Sequence, residues 1–95
     1  MITFPQLVTA LTNLWLRHEM EKKIISFLTE LLERSEPLSS QTRFQELEEW
    51  NSMNTLELMS MLDEEYGVIL GAAELMGFET IGAMIDYVKQ RIHPK

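Results

Sequence analysis

The fold of this chain is decided by the stretch WNSMNTLELMSMLDEEYG, which covers residues 50–67. Asn51 and Asn54 are residue types that cap helix N-termini, and Asn54 with Glu57 three places later approximates a capping box. Gly67 stands where a left-handed residue commonly ends a helix. Between these signals, apolar side chains recur at helical spacing, at Leu58, Met59, Leu62 and Tyr66. The stretch therefore predicts a helix with a marked start and a marked end.

Ser52 falls at the start of this predicted helix. The first backbone N–H groups of a helix have no intrahelical partner, and the macrodipole makes that end positive. A phosphate ester on the Ser52 hydroxyl would meet favourable electrostatics there. Position alone does not decide the role, because a serine at a helix start is most often only a cap.

The same residues carry a family resemblance. The segment NSMNTLEL, residues 51–58, resembles the DSLDTVEL motif of acyl carrier proteins. The segment DEEYGV, residues 63–68, is similar to EEEFGI of that family, and ETIGAMIDYV, residues 79–88, is similar to TTVGDAIDYI. The resemblance runs without a gap from Asn51 to Val88. It implies that Ser52 is esterified with 4′-phosphopantetheine, as the serine of that motif is in acyl carrier proteins.

The resemblance also implies which residues meet other molecules. Partner enzymes, namely a phosphopantetheinyl transferase and acyl-processing enzymes, are expected to dock on an acidic helix through Asn51, Met53, Asn54, Leu56, Glu57, Asp63 and Glu64. An acyl pocket is expected at Phe44, Leu62, Leu70, Phe78 and Met84. Phe78 and Met84 are larger than the residues at similar positions in many members, which predicts short or unusual acyl groups, or a chain left outside the core. Asn51 and Asn54 replace aspartates that are frequent in the family, which predicts either weaker docking to a general transferase or a carrier with a dedicated one.

Charge is distributed unevenly along the 95 residues. The net charge is −7, residues 1–43 hold five acids and five bases, and residues 44–95 hold ten acids and three bases. An acidic surface disfavours nucleic acid and anionic membranes as partners and favours basic patches on proteins. An ordinary solvated acidic face explains the same composition.

Several kinds of chemistry are disfavoured by the composition. The chain has no cysteine, which excludes disulfides and thiolate metal sites and is compatible with the cytoplasm. His18 and His93 are far apart in sequence, so we expect no metal site. No histidine base or glycine-flanked elbow accompanies Ser52, so we expect no enzyme.

The segment 1–19 precedes the region where a carrier domain would begin, which we place at 20–95. Thr3 is a candidate cap, Pro5 suits a first helical turn, and an apolar stripe follows at Leu7, Leu11, Leu14 and Trp15. It lacks the basic start of a signal peptide and is too short and polar to span a membrane. We favour an added helix; an extension of the next helix and a docking element remain open. The segment from Gly71 to Gly77 contains one charged residue, Glu74. If exposed, Leu75 and Met76 would form an apolar patch, which we expect to be buried either against this N-terminal stripe or against a partner protein.

Three further helices are expected in the chain. Residues 20–34 are predicted to form a helix that ends before Ser35-Glu36-Pro37. A short helical turn is predicted from Ala72 to Met76, and the last helix is predicted from Thr80 to Arg91. The long loop between needs apolar anchors, for which Phe44, Leu47 and Trp50 are the candidates. Val68-Ile69-Leu70 is interpreted as a buried connection rather than a strand. The sum is an all-α fold, a small acyl-carrier-like four-helix bundle of three long helices and one short, with an extra N-terminal helical segment.

Three functions are compatible with these features of the sequence. The leading one is a non-catalytic, monomeric carrier of acyl thioesters for fatty acid, polyketide or related synthesis. An aminoacyl carrier, for D-alanine or for peptide synthesis, uses the same arm. The runner-up to the acyl carrier is an interaction module of the same fold that is never modified and binds one protein partner.

Overall fold

Four α-helices make up the fold of this protein. The computed structural model describes residues 3–92, and its helices are α1 (Phe4–Leu31), α2 (Ser52–Tyr66), α3 (Ala72–Met76) and α4 (Ile81–Arg91). A single 3-10 turn, Phe44–Glu46, lies in the long loop between α1 and α2. Within residues 3–92 there is no strand, and the one isolated β-bridge joins Arg43 to Thr80. The predicted all-α bundle of three long helices and one short helix is confirmed.

Helix α1 is one continuous helix of 28 residues. Thr3 is its N-cap, Pro5 lies in its first turn, and the Thr3 N–H donates to Gln6 Oε1 at 3.0 Å. The N-terminal segment is helical, as predicted, but it is an extension of the next helix. The separate added helix favoured from the sequence is therefore wrong.

The C-terminal end of α1 comes earlier than the sequence indicated. The helix ends at Leu31, with Leu32 as C-cap, and Glu33 takes a left-handed conformation with φ 51°. The Arg34 N–H then donates to the Thr29 carbonyl at 3.1 Å, which closes the last turn. The chain thus leaves the helix before the restriction imposed by Pro37 takes effect.

The core lies where α1, α2 and α4 face one another. Fully buried side chains come from all four helices, among them Met20, Ile24, Leu28, Leu58, Leu62, Leu75, Ile81, Met84, Ile85 and Val88. The loop anchors behave as predicted for Phe44 and Leu47, which are buried, while Trp50 is half-buried and packs edge-on to Phe44 at 5.5 Å between ring centroids. Val68 and Leu70 are buried and Ile69 is exposed, so the connection 68–70 is buried on one side only.

The long loop is fastened to the start of α4 by backbone hydrogen bonds. The Phe44 N–H donates to the Glu79 carbonyl at 3.2 Å, and the N–H groups of Ile81 and Gly82 donate to the carbonyls of Thr42 and Ser40 at 3.0 and 2.7 Å. These bonds satisfy N–H groups that the first turn of α4 would otherwise leave unpaired. A Cβ at position 82 would lie 2.8 Å from the Ser40 carbonyl oxygen, so the approach depends on glycine.

The structure does not show the predicted packing of the N-terminal stripe against α3. Leu75 is buried in the domain's own core, and Met76 is 45% exposed. The N-terminal stripe of Leu7, Leu11, Leu14 and Trp15 is itself exposed. The hypothesis that this stripe packs on Leu75 and Met76 is therefore wrong, because the core already covers Leu75. Among residues 3–92, no helix combines the length and apolar character needed to cross a membrane.

Candidate functional site

The start of α2 is held by two asparagines that cap each other. Asn51 is the N-cap, with φ −139° and ψ 177°, and its Oδ1 accepts from the Asn54 N–H at 3.0 Å. In return, Asn54 Oδ1 accepts from the Asn51 N–H at 2.9 Å. The capping box is thus Asn51 with Asn54, and the approximate box of Asn54 with Glu57 expected from the sequence is wrong. An amide serves here because it supplies the same acceptor oxygen as a carboxylate.

A second set of contacts fixes the chain as it enters α2. The Trp50 indole N–H donates to Thr55 Oγ1 at 3.0 Å, and the Thr55 N–H donates to the Asn51 carbonyl at 3.2 Å. The Thr55 hydroxyl also lies 3.4 Å from Met76 Sδ, which ties the helix start to α3. Ser52, between Trp50 and Thr55, therefore stands on a backbone held from both sides.

Ser52 is the first residue of α2 and its side chain is exposed. The N–H groups of Ser52 and Met53 precede the first intrahelical bonds and face the exposed end of the helix by position. The first turn of α2 carries no acidic residue, so the helix dipole is not offset by a carboxylate there. The hydroxyl is thus accessible, next to unpaired donors, at a helix start whose first turn carries no acid.

Most of the predicted recognition residues share the face of α2 that carries Ser52. Six of the seven are exposed, namely Asn51, Met53, Leu56, Glu57, Asp63 and Glu64. Asn51 precedes α2, and the other five lie on it. At 3.6 residues per turn, these five and Ser52 occupy an arc of roughly 140° around the helix. Asn54 differs, because it is 8% exposed and both its backbone N–H and its side-chain oxygen are used in capping. Its position favours capping over direct contact with a partner.

A surface cleft runs beside this face. It has a volume of about 430 Å³ and lies between α1 and α2, lined by Phe27, Leu56, Glu57, Ser60, Met61, Glu64 and Glu65. Three predicted recognition residues, Leu56, Glu57 and Glu64, therefore meet in one place. A partner side chain with an apolar stem and a basic end matches this mixture of apolar wall and carboxylates.

The five predicted acyl-pocket residues do not lie at equal depth. Phe44, Leu62, Leu70 and Met84 are buried in the core. Phe78 is half-buried, and its ring lies against Tyr87 with 5.2 Å between centroids. The structure thus puts Phe78 at the edge of the core rather than inside it.

Three residues in and beside α3 were not among the site residues predicted from the sequence: Ile69, Glu74 and Met76. Ile69 and Met76 are exposed, and Met76 reaches Thr55 at the start of α2. Helix α3 is held in place through Glu74, which accepts from the Gly71 N–H at 3.3 Å and from the Tyr87 hydroxyl at 2.7 Å. The hydrogen bond from Tyr87 lowers the pKa of Glu74. The available signal was the lone charge of Glu74 in an otherwise neutral segment.

Comparison with known proteins agrees with this geometry. Residues 22–88 match the family model described as a phosphopantetheine attachment site. The chain is similar to acyl carrier proteins from Rickettsia canadensis and Rickettsia rickettsii, each 30% identical over 74 residues, which is 77% of this chain and 86% of the relative. The acyl carrier protein of Rickettsia massiliae is similar over the same extent. No solved structure is significantly similar to the chain.

The helical bundle and the match of residues 22–88 define the class of protein, a phosphopantetheine-dependent carrier. The chain belongs to the acyl carrier protein family, and its cofactor is covalent 4′-phosphopantetheine. The residues at the start of α2 fit that group, because an exposed hydroxyl stands beside unpaired N–H donors with no carboxylate in the first turn. Across residues 3–92, no cluster of three or more potential ligands is placed to hold a metal ion, and His93 lies outside the described residues.

Proposed function

We propose that Ser52 is the attachment residue and that the protein carries acyl groups to enzymes of fatty acid, polyketide or related synthesis in the cytoplasm. The observation that carries the proposal is the exposed Ser52 hydroxyl at the first position of α2, inside the segment matched by the family model. When bound, the group supplies a thiol that holds acyl cargo as a thioester. Tethering the cargo to a small domain raises its effective concentration at each enzyme.

The chain's own residues supply position and recognition. The reciprocal capping by Asn51 and Asn54 and the bond from Trp50 to Thr55 keep Ser52 on a fixed backbone at the exposed helix end. Exposed acids farther along α2 attract basic partner surfaces and orient them. The first turn is neutral, so partner docking depends on Glu57, Asp63 and Glu64 together with the apolar Met53 and Leu56.

The proposal is tested by intact mass after incubation with coenzyme A and a broad-specificity phosphopantetheinyl transferase. The parent is expected to gain the mass of one phosphopantetheine, and Ser52→Ala to gain none. Ser60→Ala is the matched control, since Ser60 is also an exposed serine on α2 but lies two turns away. It is expected to be modified as the parent is.

Two results separate the alternatives. If the broad-specificity transferase fails, transferases from the source organism are tested, because the neutral first turn is expected to weaken docking to a general enzyme. If none of them modifies Ser52, the carrier proposal is overturned, and an unmodified interaction module becomes the better description. If Ser52 is modified, the cargo, acyl or aminoacyl, is read from the mass of the loaded protein isolated from its source.

A further inference from the structure

Helix α1 carries two apolar faces that point in different directions. Its C-terminal half buries Met20, Ile24 and Leu28 in the core. Its N-terminal half carries a second set of apolar residues, each between 44% and 77% exposed, which we call the outer stripe: Phe4, Leu7, Val8, Leu11, Leu14 and Trp15. At 3.6 residues per turn, the centre of the outer stripe is rotated roughly 140° from the buried face. The domain's own core therefore cannot cover it.

The outer stripe is as large as the largest apolar patch of a typical monomer. With 150–250 Å² for a full aromatic side chain and about 100 Å² for an aliphatic one, the six residues expose on the order of 500 Å² of apolar side chain. The largest apolar patch on a typical monomer is roughly 300–600 Å² and is often functional. Two such stripes facing each other bury on the order of 1,000 Å², which is the lower limit of a specific interface.

The pattern of the outer stripe is a seven-residue repeat. Phe4 and Leu11 hold equivalent positions, as do Leu7 and Leu14, and Val8 and Trp15. This is the spacing by which one helix packs along another. In an antiparallel pair centred on Leu11, Leu7 meets Trp15 and Val8 meets Leu14, while Phe4 lies opposite His18 at the edge. The centre of the contact is therefore apolar and identical on both sides. Such a self-complementary surface is what a two-fold symmetric dimer requires.

Charge favours the same arrangement. The residues from Thr3 to Leu16 carry no charge, so the stripe brings no like charges together and offers no charge pattern that selects a different protein. It also lacks the lysines and arginines that hold an amphipathic helix on an anionic membrane. The net charge of −7 lies entirely in residues 44–95.

The antiparallel direction keeps those acidic halves apart. The packed part of α1 is centred about 13 residues from Leu11, which places the two domain bodies roughly 40 Å apart along the helix axis at 1.5 Å per residue. That separation is several times the Debye length of about 8 Å at physiological ionic strength. A parallel pair would put both acidic bodies side by side. We propose that the outer stripe is an antiparallel homodimer interface, in place of the monomer expected from the sequence.

Sedimentation equilibrium of the full chain tests the interface. The parent is expected to dimerise with a Kd on the order of 10 µM, as suits an interface of this size. Leu11→Glu, which puts two like charges on the symmetry axis, is expected to stay monomeric up to roughly 200 µM, at least twenty times that Kd. Ile69→Glu is the matched control, because Ile69 is 80% exposed but lies outside the stripe, and it is expected to dimerise as the parent does.

Cysteine cross-linking tests the direction, since the natural chain has no cysteine. Under mild oxidation Leu11→Cys is expected to form a covalent dimer by itself, while Val8→Cys and Leu14→Cys cross-link only when mixed. Cross-linking of Val8→Cys with itself would overturn the antiparallel arrangement. A parent that stays monomeric at roughly 200 µM overturns the proposal, and stripe-dependent binding to phosphatidylcholine vesicles would then assign the stripe to a lipid surface.

Discussion

The hydroxyl of Tyr66 is buried at the end of α2 without a hydrogen-bond partner among the described residues. A buried polar group left unpaired costs about 1–3 kcal/mol. Tyr66→Phe removes the hydroxyl and keeps the ring, so we expect it to raise the free energy of unfolding by about 1 kcal/mol. Thermal unfolding measures this as a rise of roughly 4–8 °C in Tm for a chain of this size. Phenylalanine is also the residue in the similar family segment.

The alkaline arm of the stability profile gives an independent check on Tyr66. Burial raises the pKa of Tyr66 above its ordinary value of 10.0, because the charged form is disfavoured in the fold. Stability linked to this group is therefore present below that ordinary value and decreases as the pH rises past it. Tyr66→Phe should lose less stability above pH 10 than the parent. Tyr87→Phe, which removes a bonded hydroxyl, should not stabilise the protein, and a Tm below the parent's for Tyr66→Phe would contradict an unpaired hydroxyl at position 66.

Single residues at the start of α2 could be predicted in type but not in pairing. Asparagine is a preferred N-cap residue, so Asn51 and Asn54 could be recognised as candidate caps. Which backbone N–H each of them bonds depends on the backbone angles of Asn51, which the sequence does not give. Gly67 was predictable, because a left-handed C-cap at φ 67° favours glycine. The depth of Phe78 was not predictable, because its apolar character does not reveal that it is half-buried, with its ring against Tyr87 at the edge of the core.

The contact between the long loop and α4 depends on Gly82. A Cβ at that position would lie 2.8 Å from the Ser40 carbonyl oxygen and 3.0 Å from Ser40 Cβ, so the loop would have to shift and stretch the 2.7 Å bond from the Gly82 N–H. Gly82→Ala is therefore expected to lower the free energy of unfolding by about 1–3 kcal/mol, the usual cost of overpacking. Denaturant unfolding of the parent and of Gly82→Ala measures this difference in free energy of unfolding.

A second glycine supplies the matched control for Gly82. A Cβ at Gly71 would meet nothing within 4 Å, and its φ of −78° suits any residue. Gly71→Ala is expected to be nearly neutral, because the gain of about 0.4–1 kcal/mol from the lower freedom of alanine in the unfolded chain is offset by the preference of helix N-caps for glycine over alanine. Equal losses in both variants would show that the Ser40 contact is not what makes Gly82 necessary.

Helix α1 shows why elements were easier to predict than their continuity. The chain has no proline or glycine between Pro5 and Pro37, so nothing in the sequence breaks a helix there. The two halves were predicted as separate because a carrier domain of the similar family would begin near residue 20, and that boundary does not show whether the helix already runs through it. The short α3 and the helix α4 carry their own caps at Gly71 and Thr80, and their bounds were predicted closely.

The whole molecule joins an acidic body, in which Ser52 starts α2, to an uncharged helical extension. Charge and helix periodicity were readable along the chain. The sequence did not show which apolar stripe of α1 the core would bury, because burial depends on how helices distant in sequence come together. Helix α4 runs beside α1, with Arg17 of α1 bonded to Asp86 of α4 at 2.7 Å, and this packing buries Met20 while leaving Trp15 exposed.

The interior of the bundle limits the cargo that it can shelter. Met84 and Leu62 are fully buried, and Leu70 and Phe44 close the same core. Because protein cores are close-packed, a long acyl chain can enter only by displacing such side chains. We expect a short acyl group, held as a thioester on the phosphopantetheine arm, to raise the Tm relative to the unloaded holo form, and a long saturated chain to leave it unchanged.

A variant at Met84 separates core volume from other effects of the acyl chain. Met84→Ala opens space between the helices and is expected to cost about 2–5 kcal/mol in the holo form. A long chain that enters the new cavity should recover part of that loss, so its Tm gain over the holo form should appear in Met84→Ala and be absent in the parent. Met53→Ala, a change at an exposed methionine on α2, should leave the parent's pattern intact. A clear gain for the long chain already in the parent would mean that the core opens despite Met84, and the expected preference for short cargo would be wrong.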